Sequence, residues 1–161
     1  MKNKEIYRHY GSDKFEIDKF TRITNREYSN KPFGGLWSSP LNDVDVSWKK
    51  WCEIEDFHTS RLEKYFDFTL KDNARILTIK NEEDLEKLPR RKILNKTYLK
   101  TKFNWNFDID FEKLAKEYDA IMVYLYRDEK LEDFTEGLYY KMYGWDCDTL
   151  LVLNSNVIEI I

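Results

Sequence analysis

Three short segments of the 161-residue chain gather polar and aromatic side chains at the ends of apparent strands. They are Tyr7-Arg8-His9-Tyr10-Gly11-Ser12, Gly34-Gly35-Leu36-Trp37-Ser38-Ser39-Pro40 and Trp145-Asp146-Cys147-Asp148. The second organises the rest. The chain has only 5 glycines, and two of them stand here side by side. Paired glycines open backbone conformations closed to other residues and let a ligand come close to the backbone. Leu36 and Trp37 read as a short strand that Pro40 ends, because proline cannot donate to a ladder. An aromatic ring and two hydroxyls beside a flexible turn make a ligand edge. The plain alternative is a Gly-Gly turn leading into an ordinary strand whose Trp37 is core. In the first segment, strand alternation puts Arg8 and Tyr10 on one face and His9 on the other. In the third, Asp146 and Asp148 precede the apolar run Thr149 to Leu153. Acids at such a place are either solvated turn residues or carboxylates aimed at a ligand.

Other site chemistries have less support. His9, His58, Cys52 and Cys147 are metal-ligand types without compact zinc spacing, so no metal is expected. A Cys–His nucleophile stays open, because adjacency in space is not visible in sequence. The chain has neither a phosphate loop of the Gly-x-x-x-x-Gly-Lys type nor a full dinucleotide fingerprint.

The elements that must hold these segments can be read in order. Ile6 and Tyr7 open a first strand. Phe15, Ile17, Phe20 and Ile23 are irregularly spaced and read as loop or one short helix. Asn30, Lys31 and Pro32 mark a turn before the glycine pair. Trp48, Trp51, Cys52 and Glu55 fall at helical spacing, with Ser47 as cap. Lys64 to Lys71 alternates, Phe66, Phe68 and Leu70 facing one way and Tyr65, Asp67 and Thr69 the other. Asp72-Asn73 turns the chain into a strand over Arg75 to Ile79. Asn81 caps a helix over Glu82 to Leu88, and Pro89 stops it. Asp110 caps a helix with Phe111, Leu114, Ala115 and Tyr118 on one stripe. Ala120 to Tyr126 is a central strand because it is almost wholly apolar. Glu129 to Tyr143 reads as a helix that Gly144 ends. Strands over Leu150 to Leu153 and Val157 to Ile161 close the chain.

The length bounds this to one domain over residues 1–161. Charged residues are 35% and hydrophobic residues 42%, an ordinary globular balance. The formal charge of -3 excludes a broadly basic nucleic-acid sponge. Aromatics reach 16%, which implies a core or a site built from large rings. Cys52 and Cys147 follow no disulfide framework, and reduced cytoplasmic thiols are the simplest reading. Met1 to Tyr10 lacks an apolar signal core and no apolar run approaches membrane length, so no membrane partner is expected.

Taken in order, the three polar segments resemble those of the ADP-ribosyltransferase-like superfamily. Its members place a His-Gly-Ser/Thr or Arg-Gly motif on a first strand, a Gly-x-Tyr/Phe or Ser-Thr-Ser motif on a second, and an acid before a late strand. The first motif here is His-Tyr-Gly-Ser, the second has Trp37 for Tyr or Phe, and the acid is Asp rather than Glu. The resemblance implies an α+β fold of two small, mostly antiparallel sheets around an NAD cleft with flanking helices. It implies Asp148, then Asp146, as the acid that offsets positive charge developing on the ribose, with His9 holding the adenosine ribose. Arg8, Tyr10, Gly11, Ser12, Gly35, Trp37 and Ser38 would line the NAD site. Trp37 would stack on nicotinamide, and a second ring would complete a sandwich. Such carboxylate support for an oxocarbenium-like state is also the logic of glycoside hydrolysis.

The expected activity is transfer of ADP-ribose from NAD to a protein or nucleic-acid acceptor, in a toxin or phage setting. The alternative is an inactive or repurposed copy that binds a protein or nucleic acid, for example a phage- or mobile-element-encoded inhibitor. Target choice is expected in the stretch from Arg90 to Asn106. It carries Arg90, Arg91, Lys92, Lys96, Lys100 and Lys102 without an acid, with Tyr98, Phe103 and Trp105 interleaved. The plain reading of this stretch is a solvated loop anchored by its rings.

Overall fold

Phe66, Phe68 and Leu70 are buried and Tyr65 is exposed, the expected alternation of strand β5 (Tyr65–Leu70). Strand β1 (Tyr7–Tyr10) pairs with it antiparallel, from Tyr7 opposite Phe68 to Tyr10 opposite Tyr65. The computed structural model describes residues 4–41, 47–92, 108–125 and 137–161. Its other strands are β2 (Thr24–Arg26), β3 (Ser29–Phe33), β4 (Leu36–Pro40), β6 (Ile76–Ile79), β7 (Ala120–Val123), β8 (Thr149–Val152) and β9 (Ile158–Ile160). The helices are α1 (Trp48–Glu55), α2 (Glu82–Glu86), α3 (Phe111–Glu117) and the single turn α4 (Leu138–Lys141). The three expected caps are made: Ser47, Asn81 and Asp110 accept from the backbone N–H groups of Lys50, Asp84 and Lys113.

Seven strands form one hydrogen-bonded sheet in the order β6-β7-β8-β4-β1-β5-β9, and β2-β3 form a separate hairpin. Only β6 and β7 among the paired strands run parallel. A parallel pair needs a long crossover, and residues 80–119 carry α2 and α3 through it. Residues 71–75 link β5 to β6, which lie five positions apart in the sheet. Fully extended, that link reaches about 21 Å, whereas five strand spacings in a flat sheet need about 24 Å. The sheet therefore folds over on itself. Tyr7, Phe68 and Leu70 from one half meet Ala120, Met122, Leu150 and Val152 from the other in a shared apolar interior. On the outer face of the second half, Ile121, Val123 and Leu151 pack with Phe111, Leu114 and Trp145. Strand β7 is buried on both faces, as its apolar run predicts.

The molecule is thus a mixed α+β domain, and three expectations change. The two small sheets are one large mixed sheet plus a hairpin, because β4 pairs with β8 along one part and with β1 along another. Asn30, Lys31 and Pro32 are strand rather than turn. Proline is tolerated there because the hairpin has only edge strands. The Asn30 side chain donates to the Lys141 carbonyl and accepts from Ile109 N–H. Of the helix expected over Glu129 to Tyr143, Leu138–Lys141 is helical, and residues 129–136 lie outside the described residues. The basic stretch from residue 93 onward lies outside them as well. Among the described residues, no helix is long and apolar enough to cross a membrane.

One carboxylate ties the second half of the sheet together. Asp119, 5% exposed, accepts from the backbone N–H and guanidinium of Arg75 before β6 and from the Asn154 amide after β8. The Arg75 hydrogen bonds hold its pKa well below the usual carboxylate range. Stability from a depressed carboxylate is present above its unfolded value and lost as pH falls through the folded one. Asp119→Asn is expected to cost about 1–3 kcal/mol at pH 7, measured by urea unfolding. Below pH ~4 the wild-type stability should fall more steeply than that of the variant.

Candidate functional site

The ladder between β1 and β4 is two pairs long, Tyr7 with Pro40 and Arg8 with Ser39. Further back along β4, Leu36, Trp37 and Ser38 pair instead with Val152, Leu151 and Leu150 of β8. The two halves of the sheet therefore diverge just beyond Arg8 and Ser39. Across the gap, His9 Nδ1 donates to the Trp37 carbonyl at 2.7 Å. A cavity of about 320 Å³ opens at this wedge. That is the lower end of the range for small-molecule sites, about 300–1,000 Å³.

Strand β1 supplies Arg8, His9, Tyr10 and Gly11 to its wall. Strand β4 supplies Trp37, Ser38 and Ser39, and the approach to β8 supplies Trp145, Cys147 and Thr149. Trp48 of α1, His58 and Arg61 close it from one side and Lys31 of β3 from another. The rings are braced. Trp37 meets Trp145 edge-on at 4.7 Å, and its Nε1–H donates to the Gly34 carbonyl. The Trp145 indole donates to the Asn30 carbonyl at 2.7 Å. Trp48 stacks on Trp51 at 5.0 Å. Ser39 Oγ accepts from Trp48 N–H, which fastens the start of α1 to β4.

The charges around the cavity differ in how they are held. Arg8 makes a two-pronged pair with Asp67, at 2.7 and 2.8 Å, and lies 3.7 Å from the Tyr65 ring centre. Those hydrogen bonds push its pKa up. Burial pushes the Lys31 pKa down, Asp146 opposes this, and nearby Arg26 adds to it. Burial also lowers the His9 pKa. With Nδ1 carrying the proton given to Trp37, Nε2 of neutral His9 is an acceptor. Burial raises the Cys147 thiol to about 12 and Cys52 to about 11. A Cys–His nucleophile needs the opposite shift, towards a thiolate. Among the described residues there is no cluster of three or more metal-ligating side chains.

Of the residues singled out in the sequence, the structure brings Arg8, His9, Tyr10, Gly11, Trp37 and Ser38 to one cavity. The alternation holds: Arg8 and Tyr10 lie with Tyr65, and His9 lies with Phe66. Ser38 is buried and spends its proton on the Leu150 carbonyl. Ser12 faces a second cavity of about 150 Å³ behind His9, with its hydroxyl donating to the Lys14 carbonyl.

Gly35 lines the second cavity and not the larger one. At φ 69°, a Cβ on it would stand 2.6 Å from the Val152 carbonyl oxygen and 2.7 Å from Leu151 Cδ1. Close approach to β8, not to a ligand in the larger cavity, is what requires glycine there.

Asp148 continues the alternation of Leu150 and Val152, which face the interior between the half-sheets, and it is fully buried. Its Oδ1 accepts from Leu125 N–H at 2.7 Å, and it is not among the described residues lining the cavity. Asp146 is half-buried in a left-handed conformation at φ 64° and lies near Lys31, but like Asp148 it is not among the described residues lining the cavity. Burial raises its pKa, and Lys31 opposes the rise. What distinguishes Asp146 from Asp148 is its nearness to Lys31, a side chain of the cavity wall.

Trp145 and Cys147 of the third segment line the cavity, and Lys31, Trp48, His58, Arg61 and Thr149 join it from outside the three segments. The alternation of Ser29, Lys31 and Phe33 against Asn30 and Pro32 could have shown Lys31 as outward-facing. Nothing in the sequence brings His58 and Arg61 to the same place. No protein-family model, curated protein or solved structure matches the chain.

Gly35→Ala is expected to lower unfolding stability by about 2 kcal/mol or more, from backbone strain and the clash with β8. A stability unchanged from wild type would return Gly35 to the ligand site. The His9 ring should titrate below 6.5, readable by NMR. A base with a depressed folded pKa loses stability as pH falls below its unfolded value, because only the unfolded state takes up the proton. The stability of the protein should accordingly decline as pH drops below 6.5, and less so in His9→Gln.

Proposed function

We propose that the cavity binds NAD and that the protein is an ADP-ribosyltransferase-like protein serving a macromolecular acceptor. The observation that carries this reading is the adjacency of β1, β4 and β8 in the sheet. These strands carry, or directly follow, the three polar segments, and His9, Trp37 and the approach to β8 line one cavity. The chemistry of the wall fits such a substrate. Trp37 and Trp48 offer ring faces to a base or nicotinamide. Neutral His9 offers an acceptor to a ribose hydroxyl, and the backbone at Gly11 borders open space. Lys31 and Arg61 offer cations to phosphate. Asp146 would be the carboxylate that supports positive charge on the ribose, kept ionised against its burial by Lys31. Removal of one such electrostatic group costs on the order of 100- to 1000-fold in rate.

A second reading is binding without turnover, favoured by the burial of Asp148 and its hydrogen bond to Leu125 N–H. One experiment separates the two. NAD at about 100 times its dissociation constant should stabilise the fold by ~2.7 kcal/mol, seen as a raised melting temperature. Under the first reading nicotinamide is released as the ADP-ribose passes to an acceptor or to water, and Asp146→Asn slows release about 100- to 1000-fold while keeping the thermal shift. Under the second, the shift occurs without release. Absence of any shift at millimolar NAD would overturn both.

A further inference from the structure

The β2–β3 hairpin has an inner and an outer face of opposite character. Inward, Asn25 bonds Asp110, Glu112 and the Phe111 N–H, and Asn30 bonds Lys141 and Ile109. Outward stand Arg26, Lys31 and Phe33, with Tyr28 at the tip. Phe33 is 55% exposed and Tyr28 46%. The Arg26 guanidinium lies 4.0 Å from the Phe33 ring centre, and Lys31 Nζ lies 5.1 Å from the ring centre of Trp37. Arg26 also sits near enough to Lys31 to depress its pKa. Asp146 lies near Lys31 and offsets part of this repulsion. Among the described residues, no carboxylate forms an ion pair with Arg26.

The cations expected to choose a target are used differently. Arg90 is paired with Asp108 and donates to the Leu85 carbonyl. Arg91 donates to the carbonyls of Arg26 and Glu27 and so holds the hairpin. Lys92 is exposed.

We propose that the outer face of the β2–β3 hairpin is a docking surface for single-stranded nucleic acid. The strand would run along the hairpin from Tyr28 at the tip past Arg26 and Lys31 to Phe33. Exposed rings and cations on one face are what an unpaired strand needs, rings for its bases and cations for its phosphates. A duplex offers phosphates but not open base faces. An acidic peptide offers the cations carboxylates but no flat bases for Phe33 and Tyr28 to stack on. Glu27 at the tip is the one carboxylate on the hairpin's own strands and turn, and it limits contact there to the ring. Lys31 joins the surface to the cavity, so the docked strand would be the acceptor if the proposed NAD chemistry holds. The docking itself does not depend on that chemistry.

The test uses the whole protein without NAD. Fluorescence anisotropy would follow a labelled single-stranded oligonucleotide of about 12 nucleotides, as DNA and as RNA, at low salt and at physiological salt. Binding that weakens with salt is expected, because phosphate contacts release counterions. Phe33→Ala should weaken it about 5- to 100-fold, the range of one lost base stack. Arg26→Gln should weaken it and reduce the dependence of log affinity on log salt by about one unit. Phe33→Ala should leave the NAD-induced thermal shift unchanged, since Phe33 is outside the cavity wall. Three outcomes overturn the proposal: no binding by the wild type at low salt, binding that both variants leave intact, or equal binding of a labelled poly-glutamate peptide. The last would assign the face to an acidic protein.

Discussion

The structure turns on the way β4 divides its backbone between two neighbours. Leu36 to Ser38 pair with β8 and Ser39 to Pro40 with β1, so no stretch of β4 is flanked by both partners in full register. One continuous sheet then folds into two halves, and a gap is left where they part. A backbone ladder would have closed that gap. Instead the His9 side chain reaches the Trp37 carbonyl, and the cavity forms around this one hydrogen bond. The same division requires Gly35, whose backbone lies against β8 where a side chain would collide.

Much of the framework was legible because local signals agreed with the final packing. The alternation of Phe66, Phe68 and Leu70, the caps Ser47, Asn81 and Asp110, and the apolar run into β7 each describe a burial pattern that the fold respects. Hairpin β2–β3 was not legible. Pro32 and Asn30 carry turn chemistry, and their strand conformation is decided by contacts to Trp145, Lys141 and Ile109 far along the chain. Tertiary contacts there override local preference.

The candidate site was legible where it lies on strands and less so where it lies on turns. Arg8, His9, Tyr10 and Trp37 could be placed because strand periodicity fixes their faces. The same periodicity turns Asp148 away from the cavity. The alternation of β8 extends one residue before its first ladder pair, and it sends Asp148 inward and Cys147 and Thr149 toward the cavity. His58 and Arg61 come from a 3-10 turn, and only the path of the chain between α1 and β5 brings them to the rim. Charge was harder still. Arg8 looks like a ligand cation in sequence, yet Asp67 opposite it on β5 takes up its charge. Lys31 looked like a turn residue and is the partly desolvated cation of the wall.

The tryptophans give the molecule an optical property of its own. Trp37, Trp48 and Trp145 line the cavity, and Trp51 is stacked on Trp48. Four of the 5 indoles in the chain are thus at the site or one ring removed from it. The pairs Trp37–Trp145 and Trp48–Trp51, with ring centres 4.7 and 5.0 Å apart, are close enough for their excited states to couple. Emission and near-ultraviolet circular dichroism of the unlabelled protein therefore report chiefly on this cavity. The fold carries its own probe where a ligand would enter.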